Sequence, residues 1–178
     1  MRKIVPDTSE YLSRIRELAK AGDPLEAQAQ APDLLTALIA NIPLEQLTTR
    51  SSPEKWSVGE ILAHLAEDEI ATAWRYRQMV EQSGIALAGF DQDLWARLGN
   101  YGARLPEESL ALFRLLRNAN LQFLKGLTPA QWDCSGIHAE RGRITVRELA
   151  THMVGHDANH IDQIRSILSR SPVRNSAT

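Results

Sequence analysis

Residues 145–164 read TVRELATHMVGHDANHIDQI and decide the fold, because they predict an amphipathic helix with a defined start. Thr145 and Glu148 have the spacing of a capping box, in which a hydroxyl and a carboxylate each bond a free backbone N–H of the first turn. Apolar residues then share one face of the helix: Val146, Leu149, Met153, Ile164 and Ile167. A helix with such a face packs against others, so the stretch predicts the last helix of a bundle.

Three segments before it carry the same kind of apolar face. The first has apolar residues three or four positions apart and ends near Pro43: Leu34, Leu35, Leu38, Ile39 and Ile42. The second starts at the capping box Ser57–Glu60 and runs to about Ser83, and the third runs from Pro106 to Gly126. Alternating strand patterns are almost absent. The 178 residues therefore predict one all-α domain over residues 1–178, a four-helix bundle.

The segments between these helices are unequal. An extra N-terminal helix is predicted, capped by Asp7 or Thr8 and ending before Gly22. Residues 84–105 predict a loose connection with one helical turn around residues 91–98, and the stretch before Thr145 predicts a loop containing glycine and arginine. These non-uniform connections leave room for an order other than simple up and down.

Composition excludes several function classes. Twenty Lys and Arg against 22 Asp and Glu give a formal net charge of −2, and no dense basic block predicts nucleic-acid binding. Cys134 is the single cysteine, so no intramolecular disulfide or cysteine zinc site is expected. The chain has no signal-peptide pattern and no apolar run long enough to span a bilayer. We expect a cytoplasmic protein that binds neither nucleic acid nor a membrane.

Three histidines predict a metal site. His156 and His160 are four residues apart and lie within about 20° of the centre of the apolar face, whereas His152 lies about 60° from it. Two imidazoles at this spacing can bind one cation from a single helix turn. His64 shares the inward face of the second bundle helix and is the predicted third ligand. A histidine-rich site suits Zn, Ni, Co or Fe(II) better than Ca or Mg.

The alternative is that these histidines are hydrogen-bonded core residues. Each buried imidazole without a partner would cost about 1–3 kcal/mol, which favours the metal site when all three are taken together.

Other polar residues lie close to the histidines on the same helices. Asp68 follows His64 by one turn and has three predicted roles: orienting a ligand imidazole, accepting a proton, or pairing with Arg75. Gln163 and Asn159 flank the histidine pair and are predicted to contact substrate or to support the ligands from behind.

These motifs together resemble the DinB/YfiT-like superfamily of metalloenzymes, four-helix bundles that include bacillithiol- and mycothiol-dependent enzymes. The resemblance covers most of the chain and is carried by three stretches: WSVGEILAHLAEDE (56–69), RLPEESLALFRLLR (104–117) and HAERGRITVRELATHMVGHDANHIDQI (138–164). It implies that a histidine of the first motif and two of the last bind a divalent metal, which places the ligands on His64, His156 and His160.

The resemblance also implies an activity. It favours a thiol-dependent S-transferase acting on small electrophiles, with Zn or Ni, or else Fe or Co, as metal and a low-molecular-weight thiol as second cofactor. A metal-dependent hydrolase using activated water is the first alternative. A non-enzymatic metal-binding or stress-associated interaction module is the second. The expected partner is a small-molecule substrate, with a homodimer as a further option.

Overall fold

The computed structural model describes residues 23–170 together with Ser13 and Glu17. The predicted N-terminal helix, with its cap at Asp7 or Thr8, lies outside the described residues apart from Ser13 and Glu17, which are both helical.

Four long helices dominate the described chain. They are α1 (Pro24–Ile39), α3 (Val58–Glu81), α5 (Pro106–Lys125) and α7 (Val146–Arg170). Three short helices lie in the connections: α2 (Leu44–Thr48), α4 (Gln92–Leu98) and α6 (Pro129–Trp132), with a 3₁₀ turn at Tyr101–Ala103. The predicted all-α four-helix bundle is confirmed, as are its unequal connections.

The helix starts follow the capping signals in the sequence. The Ser57 hydroxyl accepts a hydrogen bond from the Glu60 N–H, while the Glu60 carboxylate accepts one from the Ser57 N–H. Thr145 and Glu148 form the same reciprocal pair at the start of α7. Both boxes satisfy N–H groups that have no partner inside the helix, and so fix where the two helices begin.

A small sheet corrects the prediction that the connections are loops. Its strands are β1 (Ile85–Leu87), β2 (Ser135–His138) and β3 (Gly142–Thr145), in the order β1-β2-β3. β1 pairs parallel with β2, and β2 pairs antiparallel with β3. Strands of three or four residues are too short to show an alternating pattern, and β1 finds its partner some fifty residues away. Local sequence therefore could not predict them.

The core forms two apolar clusters at opposite ends of the bundle. One joins α1, the start of α3, the start of α5 and the end of α7, including Ile61, Phe113 and Ile164. The other joins the end of α3, the sheet and the start of α7, including Tyr76 and Leu149. α3 and α7 are therefore antiparallel. Buried polar side chains occupy the layer between the two clusters, and this layer holds the candidate site.

Among the described residues, no helix combines the length and the apolarity needed to cross a lipid bilayer.

Candidate metal centre

Three imidazoles meet in the polar layer, and we call His64, His156 and His160 the histidine cluster. Nε2 of His156 lies 3.2 Å from Nε2 of His64 and 3.2 Å from Nε2 of His160. One ligand atom from each residue lies within 4.8 Å of the other two, and all three side chains are buried. The structure thus brings together the three histidines that the sequence singled out, from two antiparallel helices.

The spacing of these nitrogens fits one small cation. Two nitrogens each about 2.05 Å from a tetrahedral zinc ion are about 3.3 Å apart. The observed 3.2 Å separations are close to this value. The donor set, three imidazoles and no thiolate, suits the borderline divalent metals Zn, Ni, Co and Fe(II).

Hydrogen bonding alone does not satisfy the histidine cluster. A ring nitrogen offers either one N–H or one lone pair, so Nε2 of His156 can form only one well-directed hydrogen bond with its two neighbours. A cation at the centre would accept all three lone pairs at once. The three imidazoles are therefore arranged so that they could hold one metal ion.

Burial keeps all three imidazoles neutral, which is the state in which they bind metals. Desolvation lowers the pKa of His64 and of His156 well below the usual 6.5, and neighbouring histidines lower both further. Desolvation also lowers the pKa of His160 to about 4, with the Gln163 hydrogen bond acting in the opposite direction.

Two further side chains lie behind the histidines. Oε1 of Gln163 is 2.9 Å from Nδ1 of His160 and accepts a hydrogen bond from its N–H, which leaves the Nε2 lone pair free. Asp68 Oδ2 lies 3.7 Å from Nδ1 of His156, which is too far for a hydrogen bond, and this buried nitrogen has no hydrogen-bond partner among the described residues. Both contacts are on the side of the ring opposite to Nε2.

The location of Asp68 bears on its three predicted roles. Its carboxyl faces His156 from behind, which fits the orienting role. Its pKa is raised to about 7, first by burial and then by Glu69. Arg75 forms no ion pair with Asp68 in the described chain and instead donates from Nη2 to the Ala88 carbonyl at 2.9 Å.

The remaining histidine of α7 and Asn159 lie outside the cluster. His152 is half-buried, and its ring centroid is 6.3 Å from that of His156. Burial, followed by Arg141, lowers the pKa of His152 to about 3. Asn159 is buried, but within residues 23–170 it makes no hydrogen bond to any of the three imidazoles.

One edge of the histidine cluster is covered by aromatic rings. The Trp56 ring lies 5.0 Å from the His64 ring and 6.3 Å from the Tyr101 ring, centroid to centroid. Trp56 comes from the connection before α3 and Tyr101 from the 3₁₀ turn before α5. These contacts restrict the His64 ring and shield it from solvent on that side.

Sequence reasoning missed a second buried polar group, which we call the arginine cluster: Arg117, Glu69, Asp157 and Asn120. Arg117 is fully buried and donates two hydrogen bonds to Asp157, at 2.6 and 2.9 Å, and one to Glu69 at 2.8 Å. Asn120 donates to Glu69 Oε2 at 2.8 Å. Burial alone would lower the pKa of Arg117, but Asp157 and then Glu69 outweigh it and raise that pKa.

One signal in the sequence pointed to this cluster. On α5, Leu110, Phe113, Leu121 and Leu124 form the buried face, and Arg117 and Asn120 occupy the turn in the middle of it. A charged residue in the middle of an apolar face is rarely buried without a partner. The pattern therefore predicts a buried ion pair, although it does not say with which helix.

Comparison with known proteins agrees with the fold. The solved structure of YfiT from Bacillus subtilis superposes with a TM-score of 0.77 at 20% identity, covering 96% of this chain and 92% of that one. That protein is described as a probable metal-dependent hydrolase with an unusual four-helix bundle topology. At this identity the likeness establishes the fold only.

Curated relatives are similar over most of the chain. A protein of Oceanobacillus iheyensis is 26% identical over 140 residues, covering 78% of this chain and 80% of the relative. YfiT of Bacillus subtilis is 24% identical over 147 residues, covering 82% and 83%. Both proteins are named "Putative metal-dependent hydrolase".

A sequence profile of the DinB superfamily matches residues 27–164, a range that includes both motifs of the histidine cluster. Because the match spans well over half of the protein, the chain belongs to the DinB superfamily.

Proposed function

We propose that His64, His156 and His160 bind one divalent cation and that the protein is a metal-dependent hydrolase. The observation that carries the proposal is the convergence of three buried Nε2 atoms at separations of 3.2 Å from His156. The names of the relatives support the reaction type, since they class those proteins with metal-dependent hydrolases.

A cation with three protein ligands keeps a position for water or substrate, where it lowers the pKa of water and polarises a carbonyl group. The chain's own residues prepare this site. Gln163 holds His160 in the tautomer whose Nε2 carries the lone pair. The Asp68 carboxyl lies 3.7 Å from Nδ1 of His156, and a small shift would let it accept a hydrogen bond from that N–H and select the same tautomer for His156. Trp56 limits solvent access beside His64.

The S-transferase hypothesis needs a thiol from outside the protein. Cys134 lies in the segment between α6 and β2, where its Sγ is 3.7 Å from the Ala130 carbonyl oxygen, and it is not part of the histidine cluster. No contact among the described residues favours a thiol over water. We therefore place hydrolysis first and let experiment decide on S-transfer.

Metal binding is tested by loading the purified protein with Zn or Ni and measuring the bound metal per chain. We expect about one ion for the unmodified protein and for His152→Ala, and a loss of at least 100-fold in affinity for His156→Ala. His152 is the matched control because it lies one turn away on the same helix. Equal losses in the two variants, or no binding by the unmodified protein, would overturn the proposal.

The reaction type is tested on loaded protein with a panel of small esters, amides and alkylating electrophiles, each with and without a low-molecular-weight thiol. Hydrolysis that needs no thiol supports the proposal. Turnover only when thiol is added would establish the S-transferase instead. Stoichiometric metal without turnover of any compound would favour the non-enzymatic binding module.

A further inference from the structure

A second concave site lies farther along α3, between this helix and the segment that leads into α4. Its volume is about 110 Å³. The walls that matter are Trp74, Arg75 and Gln78 from α3, Ala88 and Phe90 from the segment opposite, and Trp95 from α4. We call this site the aromatic recess.

Three of the eight residues that line the recess are aromatic. The rings of Phe90 and Trp95 are 4.4 Å apart, centroid to centroid, at an interplanar angle of 30°. Trp74 lines the recess from the other side although 61% of its surface is exposed. Three aromatic side chains that line one recess provide flat apolar contacts for a planar group.

Arg75 brings a positive charge into this apolar site. The residue is only 9% exposed, and its guanidinium lies 5.5 Å from the centre of the Phe90 ring. Its hydrogen bond to the Ala88 carbonyl uses Nη2. Arg75 forms no salt bridge among the described residues, and burial lowers its pKa while the nearby Asp68 carboxyl acts in the opposite direction. A guanidinium carries five N–H donors in a fixed fork that matches a carboxylate, so Arg75 retains donors for an anion.

Arg77 shows that these features do not accompany every arginine of α3. It also donates to a backbone carbonyl, that of Ala73 at 2.8 Å, and it also lies over a ring, that of Phe123 at 4.6 Å. However, Arg77 is exposed and does not line the recess. The difference between the two is the placement of Arg75 in the wall of a cavity.

We propose that the aromatic recess binds a small aromatic carboxylate, with its ring against Trp74, Phe90 and Trp95 and its carboxylate on Arg75. Arg75 lies eleven residues after His64, which returns it to nearly the same face of the helix three turns later. The recess is therefore lined from the face of α3 that also carries His64, about 16 Å farther along the helix. That the bound compound is a substrate rests on the proposed function, whereas the binding itself does not.

The test is calorimetric titration of the full-length chain, first without metal and then loaded with Zn. Benzoate is the probe, with benzyl alcohol as the neutral ring and acetate as the anion without a ring. In metal-free protein we expect benzoate to bind at least tenfold more tightly than either control. Equal affinity for benzoate and benzyl alcohol, or no binding of benzoate, would overturn the inference.

Variants then locate the site. Arg75→Met should reduce benzoate affinity at least tenfold and leave benzyl alcohol little changed, whereas Arg77→Met should bind both as the unmodified protein does. Trp74→Leu, at an exposed position that folding tolerates, should weaken benzoate and benzyl alcohol by a similar factor. Equal effects of the two arginine variants, or no effect of Trp74→Leu, would contradict the assignment.

The outcomes separate this inference from the proposed function. Benzoate binding that depends on Arg75 in a protein that takes up no metal would leave the recess assigned and remove the hydrolase. Metal binding at the histidines without benzoate binding in the metal-free state would remove the recess assignment and leave the proposed metal site in place.

Discussion

The bundle buries two polar clusters next to each other, and consecutive residues divide between them. On α3, Asp68 faces the histidine cluster while Glu69 binds Arg117. On α7, His156 belongs to the histidine cluster while Asp157 binds Arg117. The same two helices, at the same level of the bundle, thus contribute to both clusters, and α5 adds Arg117 and Asn120 to the second one.

The two clusters differ in how far their members satisfy one another. In the arginine cluster, Arg117 donates to two carboxylates and to the Gln28 carbonyl, and Asn120 donates to Glu69. In the histidine cluster, three nitrogens that carry lone pairs face one point. The first cluster pairs its charges within the chain and leaves only Nε of Arg117 without a hydrogen-bond partner among the described residues, whereas the second has the donor set for a cation. This difference separates a structural group of buried charges from a candidate site.

Arg117→Met should have the largest effect on stability. It leaves two carboxylates buried without their cation, which typically costs about 3–5 kcal/mol of unfolding free energy. Chemical denaturation monitored by circular dichroism measures the loss. Arg114→Met is the control, because Arg114 pairs with Asp33 at 2.7 Å on the surface of the same helix and should cost less than about 1 kcal/mol. Similar losses of unfolding free energy in both variants would show that the arginine cluster stabilises the fold no more than a surface ion pair does.

Asp68→Asn should weaken the histidine cluster without comparable harm to the fold. Loss of a carboxylate behind a metal-binding imidazole typically reduces metal affinity 10- to 100-fold. Competition with a chelator of known affinity measures this. Glu67→Gln is the matched neighbour, since Glu67 pairs with Arg104 at 2.8 Å and should leave metal affinity unchanged. If Asp68→Asn binds metal as tightly as Glu67→Gln does, Asp68 does not orient His156.

Metal-free protein should lose stability as the pH falls from 7 to 5. The folded state keeps the pKa of His160 at about 4, against 6.5 when unfolded, so in this range only the unfolded chain takes up the proton. The stability that comes from keeping such a histidine neutral in the fold is fully present above pH 6.5. It is lost on acidification, on the order of 1–2 kcal/mol of unfolding free energy for each such histidine. Thermal unfolding at several pH values measures it, and a flat profile would contradict the prediction.

Asp68 acts with the opposite sign. Its folded pKa of about 7 exceeds the unfolded value of 3.8, so the folded state holds the extra proton, and this contribution is lost as the pH rises through 7. Asp68→Asn should therefore make the loss of stability on acidification steeper. A shallower profile in this variant would show that the Asp68 carboxyl stays ionised in the fold.

Gln163→Ala should produce the smallest change. The side chain is exposed and only holds Nδ1 of His160, so we expect metal affinity to fall about 10-fold, the lower end for such supporting contacts. Asp162→Asn, at the neighbouring half-buried position, should bind metal normally. A loss as large as that of Asp68→Asn would mean that the tautomer of His160 matters more than the orientation of His156.

Local patterns predicted the parts of this protein that depend on few neighbours. The capping boxes at Ser57 and Thr145 and the pairing of His156 with His160 are set within one or two helical turns, so sequence spacing determines them. The structure also brings His64 to this histidine pair, because a side chain on the inward face of a helix must lie in the bundle core. The sheet was missed because its strands are only three or four residues long and β1 pairs with β2 across some fifty residues, although β2 and β3 form a local hairpin.

The sequence by itself determined the helices, their buried faces and the three histidines that turn inward, since each follows from residues a few positions apart. Only the tertiary structure decided which neighbour each buried charge meets, placing Asp68 behind His156 and Glu69 on Arg117. The register between α3, α5 and α7 makes that choice. Register depends on the packing of whole helix faces against one another, and no local spacing encodes it.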